Sequence, residues 1–323
     1  MAPRRVIGVD MGGSKLLAGV VDRELKVEHR VQRSLTGLDQ PALVEVTLEA
    51  VHEARGQAEG EVDAVGFGIP CLMDSRTGMA RMAVNLPLAD IDFAAVMHDR
   101  LGIPAFVDND ANVAALAEHM GGAGRGCSDL VMLTIGTGIG GGVITGGQLY
   151  RGATGAGAEL GHMVVDCNGP RCQGNCPNRG CIEALASGTA LAREARRAAA
   201  EEPDSALARA QADGQEVAGP LVTQLARAGD PAALGVLRLV GARLGVAVTS
   251  LVNIFNPQVV VLGGGVMGAG DLLLEPARAE VAARALPPAR EEVRILPAEF
   301  GAEAGMVGAA ALALAGLRVG GEV

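Results

Sequence analysis

Residues 6–21 read Val6-Ile7-Gly8-Val9-Asp10-Met11-Gly12-Gly13-Ser14-Lys15-Leu16-Leu17-Ala18-Gly19-Val20-Val21, and residues 130–144 read Leu130-Val131-Met132-Leu133-Thr134-Ile135-Gly136-Thr137-Gly138-Ile139-Gly140-Gly141-Gly142-Val143-Ile144. Each stretch is an apolar run, a glycine turn and a second apolar run, the pattern of two strands joined tightly. The same unit near residue 10 and again near residue 136 implies a structural duplication with weak identity between the copies. β and α patterns alternate around both copies, which argues for two α/β layers with largely parallel sheets.

Working outward, strands are expected at Arg5–Val9, Leu16–Val21 and Lys26–Arg33, then a helix over Pro41–Gln57 with Leu43, Val46, Ala50 and Ala54 on one face. A strand follows at Val62–Gly68, then a helix over Phe93–Leu101 stopped by Gly102 and Pro104. The strand Pro104–Val107 runs into Asp108-Asn109-Asp110, and a helix covers Ala111–Met120. In the second half, strands are expected at Leu130–Ile135 and Gly141–Ile144, and a third begins at Gln148–Tyr150. The remainder reads as mostly helical until the strand Val259–Leu262 before Gly263-Gly264-Gly265, with the polar stretch Glu201–Gly219 as a surface loop or insertion. Ala304–Leu317 is a final apolar helix, placed to return to the first domain.

The chain has 323 residues, comfortable for two cores, and its 49% hydrophobic and 20% charged residues are globular proportions. A formal net charge of -10 argues against a nucleic-acid partner. No apolar run of about 20 residues stands out, so no transmembrane helix or other membrane association is expected. The N-terminal residues are too short in apolar length and too soon charged for a signal peptide, and the expected compartment is cytoplasmic. Aromatics are 2% of the chain, with no Trp, so a sugar here would be held by hydrogen bonds rather than by stacking.

The turn Asp10-Met11-Gly12-Gly13-Ser14-Lys15 lets the backbone approach a ligand, with consecutive N–H groups able to face phosphate oxygens. Asp10 could hold a hydrated Mg²⁺, and Ser14 and Lys15 could reach phosphate; the bland alternative is an ordinary hairpin turn. It is no Walker A loop, because Ser14-Lys15 reverses the required order and a strand follows. Gly136-Thr137-Gly138-Ile139-Gly140-Gly141 contains G-x-G-x-x-G, but a dinucleotide site needs a helix to begin there and Gly142-Val143-Ile144 continues as a strand. A second phosphate clamp fits better, with Thr137 and backbone N–H groups as donors. Asp110, at a strand end and a helix start, either caps the helix or serves as a general base toward an attacking hydroxyl. Asn109 can donate and accept, which suits a vicinal diol. Asp108 should point to the opposite side of the strand.

Four of the six cysteines, Cys167, Cys172, Cys176 and Cys181, crowd into one stretch. In a reducing compartment that suggests metal before disulfides. His162 with Cys172, Cys176 and Cys181 supplies the ligands of a closed structural Zn²⁺ site, with Cys167 as an alternative ligand. Zinc would orient His162 through one nitrogen and leave the other for a substrate hydroxyl. Glu183 follows Cys181 closely enough to be held in the same site; otherwise it is a free surface glutamate. Cys71 and Cys127 stand alone and read as small apolar residues.

Taken in order, Val9–Lys15, Asp108-Asn109-Asp110-Ala111-Asn112, Gly136–Gly142, and Glu159-Leu160-Gly161-His162 with Cys172 to Glu183 resemble the ROK family of repressors, open reading frames and sugar kinases. The resemblance covers Val6 to about Leu317. It implies an actin-like ATPase (ribonuclease H-like) duplicated α/β fold of two domains around a cleft. The division implied is 1–109 plus 304–323 as a small domain and 110–303 as a large domain carrying the zinc loop. It implies Asp110 as the catalytic base, Asn109, Glu159, His162 and Glu183 as sugar ligands, and His162, Cys172, Cys176 and Cys181 as zinc ligands. The loops Asp10, Gly12, Gly13, Ser14, Lys15 and Gly136, Thr137, Gly138 would flank the phosphates of ATP, and Gly263, Gly264 and Gly265 would lie near the adenosine. Two departures stand out. The usual C-x-C-G-x-x-G-C is lengthened here to Cys172-Gln173-Gly174-Asn175-Cys176, and the usual G-x-P-G reads Gly68-Ile69-Pro70-Cys71.

The expected activity is 6-phosphorylation of a hexose by ATP-Mg²⁺, with glucose first and mannose, fructose, N-acetylglucosamine and N-acetylmannosamine as alternatives. Domain closure should exclude water. Polyphosphate as donor stays open. A sugar-responsive repressor is disfavoured by the nine residues before Asp10 and by the acidic charge. A non-catalytic sugar binder has no need of a base beside a phosphate site. The resemblance also implies a homodimer or higher homo-oligomer.

Overall fold

The computed structural model describes residues 4–74, 79–83 and 86–319. Backbone contacts divide the chain into two compact units, one of residues 1–128, 142–158 and 302–323, the other of 129–141 and 159–301. The chain ends assigned to the small domain, 1–3 and 320–323, lie outside the described residues.

The first unit opens with β1 (Arg5–Met11), β2 (Lys15–Val21) and β3 (Val27–Ser34), an antiparallel meander. Helix α1 (Gln40–Gln57) follows, with Asp39 accepting the Ala42 N–H as its cap and Pro41 in its first turn. β4 (Val62–Ile69) pairs parallel with β1. A small sheet of β5 (Cys71–Asp74), β6 (Met79–Ala83) and β7 (Ala89–Ile91) then intervenes before α2 (Phe93–Leu101), β8 (Ala105–Asn109) and α3 (Asp110–Gly121). β8 joins β4 in parallel and completes the order β3-β2-β1-β4-β8. Apolar side chains of β1, β2, β4 and α1 fill one side of this sheet, with Phe67 edge-on to Phe93 at 5.2 Å between ring centres.

The remaining elements are β9 (Leu130–Ile135), β10 (Ile139–Thr145), β11 (Gln148–Leu149), α4 (Ile182–Ala186), α5 (Gly188–Glu201), α6 (Ala206–Ala212), α7 (Gly219–Arg227), α8 (Pro231–Phe255), β12 (Val259–Gly263), α9 (Asp271–Arg284), α10 (Ala289–Glu292), β13 (Arg294–Pro297) and α11 (Ala304–Val319). The second sheet runs β11-β10-β9-β12-β13, with β12 parallel to β9 and β13. Position for position this repeats the first sheet, so the duplication read from the two glycine turns is present in the strand order.

Four features depart from the expected elements. The helix at 110 starts at Asp110 and its strand runs through Asn109. The sheet β5-β6-β7 and strand β13 were not expected. The stretch Glu201–Gly219 carries α6, capped by Ser205 and anchored by buried Leu207 and Ala210. Helix α8, 25 residues long, is apolar enough by length and composition to cross a membrane, but it packs against α4, α5, α7 and α9 as a core helix.

The division also differs from the expected one. Helix α3 groups with the first unit rather than the second, because α11 packs on it closely. A Cβ on Gly308 of α11 would stand 1.8 Å from the Val113 carbonyl oxygen, and one on Gly66 of β4 would stand 1.8 Å from the Ala309 carbonyl oxygen. Side-chain-free contacts on both faces let the last helix lie between α3 and the first sheet.

Candidate active site

The residues expected to act gather in two places, one on each unit. In the first unit, Asp10 is the last residue but one of β1 and Asn109 the last of β8, and polar side chains at such strand ends face the ligand side of α/β sheets. Asn109, not Asp110, caps α3: its Oδ1 accepts the N–H groups of Ala111 at 2.9 Å and Asn112 at 3.3 Å. Asp110 occupies the first helical position, where its Oδ1 also accepts the Ala111 N–H at 2.9 Å. Burial raises the Asp110 pKa, opposed by backbone hydrogen bonds and by the Asn109 side chain. Asp10 is pushed up to about 6 by burial first and the Asp110 charge second, with Lys15 pulling the other way. The Asp10 carboxylate needs the bare Gly305 at the start of α11, where a Cβ would stand 2.5 Å from its Cγ.

The turn after Asp10 is closed by Gly12 N–H donating to the Lys15 carbonyl at 2.8 Å, and it leaves Gly13, Ser14 and Lys15 exposed. Its reading as a hairpin turn is therefore correct as local structure, and its exposed groups remain available to a ligand. Cys71 of β5, where the family commonly has glycine, is a buried thiol pushed up to about 12 by burial and then by the Asp110 and Asp108 charges. It stays neutral beside these carboxylates, as sequence reading as a small apolar residue implies.

In the second unit, the turn Gly136–Gly138 is braced from outside. Glu183 of α4 accepts the Ile139 N–H on Oε2 at 2.8 Å, and a Cβ on Gly138 would stand 2.4 Å from that oxygen. The Gly136 carbonyl accepts the Gly188 N–H at 2.8 Å, and the Thr137 carbonyl accepts the Thr189 hydroxyl at 2.9 Å. With these carbonyls engaged at the start of α5, the turn has no oxygen dipole left to oppose a phosphate at those two peptides. Gly161, in the 3₁₀ turn Leu160–His162 that follows Glu159, lies against the Ile139 carbonyl, where a Cβ would come within 1.9 Å. Ile139 thus joins the glycine turn, Glu159–His162 and Glu183 in one patch.

The four expected metal ligands meet there. His162, Cys172, Cys176 and Cys181 place ligand atoms within 4.8 Å of one another. Cys172 Sγ lies 3.5 Å from His162 Nδ1, and Cys176 Sγ lies 3.9 Å from Cys181 Sγ. Tetrahedral Zn²⁺ with bonds of about 2.0–2.3 Å spans edges of roughly 3.5–3.8 Å, so the set fits that ion. Cys167 is exposed and stands outside the group, so the lengthened Cys172–Cys176 spacing still delivers Cys172. Burial, neighbouring thiols and Glu183 raise the Cys172 pKa, a repulsion that a bound cation would reverse.

Gly263–Gly265 follow β12, and Gly264 adopts φ +88° over the end of β9, where a Cβ would stand 2.5 Å from the Ile135 carbonyl oxygen. A depression of about 410 Å³ opens beside Gly265, Val266 and Gly268 against Pro220, Thr223 and Arg227. Three contacts were missed by sequence reading. Glu183 is a brace for the glycine turn, Gln173 donates to Ser187 Oγ at 2.9 Å, and Asp108 pairs with Arg151 at 2.6 Å. Only Glu183 carried a signal, its place just past Cys181.

Two duplicated sheets of this order, with carboxylates and glycine turns at their strand ends, define an actin-like ATPase fold. The model of the ROK family matches residues 6–315, and the protein belongs to that family. It is 35% identical to the glucokinase of Thermotoga maritima over 97% of this chain and 98% of that protein. It superposes with TM-score 0.85 and 35% identity on a ROK family glucokinase from Streptomyces griseus in complex with glucose and AMPPNP, over 96% of this chain and 99% of that one. The ROK hexokinase from Thermus thermophilus superposes with TM-score 0.78 at 36% identity, over 98% and 99% of the two chains.

Proposed function

We propose that this protein transfers the γ-phosphate of ATP to the 6-hydroxyl of glucose. The observation that carries the reading is Asp110, fixed at the start of α3 beside Asp10, in a chain with full-length likeness to glucokinases. Asp110 accepts the proton of the 6-hydroxyl while that oxygen attacks the γ-phosphorus. The new O–P bond forms as the bond to the β-phosphate bridging oxygen breaks, and ADP and glucose 6-phosphate leave. Asn109, Glu159 and Glu183 hold sugar hydroxyls, Asn109 through its amide N–H₂ because its oxygen caps the helix. His162 does so through Nε2, since Nδ1 faces the thiols.

Asp10 would hold the hydrated Mg²⁺ of ATP-Mg²⁺, which neutralises phosphate charge. Ser14, Lys15 and the N–H groups of Gly13, Thr137 and Gly138 bind phosphate oxygens, while the Gly12 and Gly136 N–H groups close their own turns. The depression beside Gly265 takes the adenosine. His162, Cys172, Cys176 and Cys181 would hold a structural Zn²⁺ that fixes the sugar-binding loop. A homodimer in the cytoplasm is the expected assembly, and sedimentation tests it.

ADP release with ATP-Mg²⁺ across a panel of hexoses, for wild type and Asp110→Asn, tests the reading. Turnover with glucose that falls by about 10²–10⁴-fold or more in Asp110→Asn, at unchanged metal content, supports it. Turnover only with an N-acetylated sugar keeps the chemistry and overturns the substrate. A folded, metal-loaded protein inactive on every sugar overturns the enzyme reading in favour of a regulatory one.

A further inference from the structure

Asp108 takes no part in the reaction just described, yet it is the most heavily bonded carboxylate near Asp110. Alternation along β8 turns it away from Asn109, and it is 4% exposed. Its Oδ1 accepts the Asn109 N–H and the Asn112 amide, each at 2.8 Å. Its Oδ2 accepts Arg151 Nε at 2.6 Å. Asn112 commits its amide to Asp108 even though its own Oδ1 is buried without a partner. A buried orphan oxygen is a cost, and it marks the carboxylate as the group the surroundings are arranged to satisfy.

Arg151 follows β11, in the segment that belongs with the first unit. Its carbonyl accepts the Gly157 N–H at 2.9 Å, which closes the turn on itself. Without Arg151, a buried negative charge would stand two residues from Asp110 with only neutral donors. Arg151 is itself 39% exposed, but Asp108 is buried, so removing the arginine leaves a buried charge unpaired. That charge is relieved by taking up a proton, which weakens the bonds Asp108 accepts, or by a shift of the junction of β8 and α3, and Asn109 and Asp110 sit on the junction.

We propose that Arg151 is a positioning residue: by neutralising Asp108 it holds the strand end that aims Asn109 and Asp110 at the sugar. This rests on Asp110 being the base.

The test is steady-state kinetics with glucose and ATP-Mg²⁺ on Arg151→Met, Arg151→Lys, Asp108→Asn/Arg151→Met and Asp110→Asn, with thermal melts of each. Arg151→Met is expected to lower kcat by about 10²-fold with the KM for ATP unchanged, because displacement by an ångström costs that much at a reacting group. Arg151→Lys keeps the charge but not the guanidinium shape, and should fall by about tenfold. The double variant, which removes the stranded charge, should recover kcat above that of Arg151→Met. Wild-type kcat in Arg151→Met, or a loss no larger than its unfolded fraction, overturns the proposal. Should Arg151→Met not fold, Arg151→Lys decides: an altered KM for ATP at unchanged kcat overturns it. Full activity in Asp110→Asn would instead remove the base assignment, whereas an inactive Asp110→Asn beside an unimpaired Arg151→Met removes only the role of Arg151.

Discussion

The two glycine turns occupy equivalent places in sheets of matching strand order, but they are held by different means. The turn at 12–15 is closed by the Gly12 N–H on the Lys15 carbonyl and the Leu35 N–H on the Ser14 carbonyl, all within the first meander and its end. The turn at 136–138 has a closing bond of its own, Gly136 N–H to the Gly138 carbonyl, and is braced besides by Glu183, Gly188, Thr189 and, through Gln173 and Ser187, the cysteine loop. Local closure makes a turn that presents side chains, and remote bracing makes one that presents backbone. The second therefore depends more than the first on how distant parts of its unit are ordered.

Removing the Zn²⁺ proposed for the cysteine loop would break this comparison most forcefully. Chelation should abolish most activity and loosen 136–139, read as faster amide exchange there, while exchange at 12–15 stays as in the loaded protein. Equal protection of both turns after chelation would disconnect the cysteine loop from the glycine turn. Glu183→Ala removes the acceptor of the Ile139 N–H and should cost about 10²-fold in kcat/KM. Glu183→Gln, which can still accept that N–H, should keep more activity than Glu183→Ala. Equal kinetics in the two variants would argue that Glu183 acts on sugar alone.

A methyl group probes the two turns directly. Gly138→Ala drives a Cβ into Glu183 and should destabilise by about 1–3 kcal/mol in urea titration. Gly12→Ala meets its nearest atom, the Lys15 carbonyl oxygen, at 3.4 Å and should cost less than about 1 kcal/mol. Reversed order in these two values would dissolve the distinction between closed and braced turns.

A further effect singles out the first turn through pH. The Asp10 pKa is raised from 3.8 to about 6, so its folded form binds its proton more tightly than the unfolded chain does. That contribution to stability is complete below about pH 4 and is lost as pH rises through about 6. Asp10→Asn should accordingly stabilise the ligand-free protein by about 1–3 kcal/mol at pH 7.5 and flatten its stability between pH 4 and 6. A melting profile that keeps the wild-type slope across that interval would place the titration elsewhere.

Local patterns were legible in the sequence where neighbours along the chain do the holding. The β1–β2 hairpin, α1, α2 and β9 follow their apolar spacing and caps closely. The strands β5, β6, β7 and β13 are three to five residues long, too short for alternation to build a signal. In the site, residue types with strong chemistry, such as Asp110, His162 and the cysteines, announced themselves. Arg151 did not, because its partner Asp108 is 43 residues away and no motif spans that interval. The capping role fell to Asn109 rather than Asp110 because the strand runs two residues past its apolar run, a boundary that hydrophobicity alone does not mark.

The contact of α11 with bare glycines has a consequence for the order of synthesis. Strands β1, β2, β4 and β8 leave the ribosome early, but the helix that lies on them is made last, after nearly all of the other unit. During elongation that face of the sheet is uncovered, apolar and free of bulky side chains at Gly8 and Gly66, a surface on which a nascent chain invites misdirected pairing or chaperone capture. The second unit carries its own covering helices in continuous sequence and can complete first. Emergence of α11 is then the event that finishes the half of the molecule translated before the other unit.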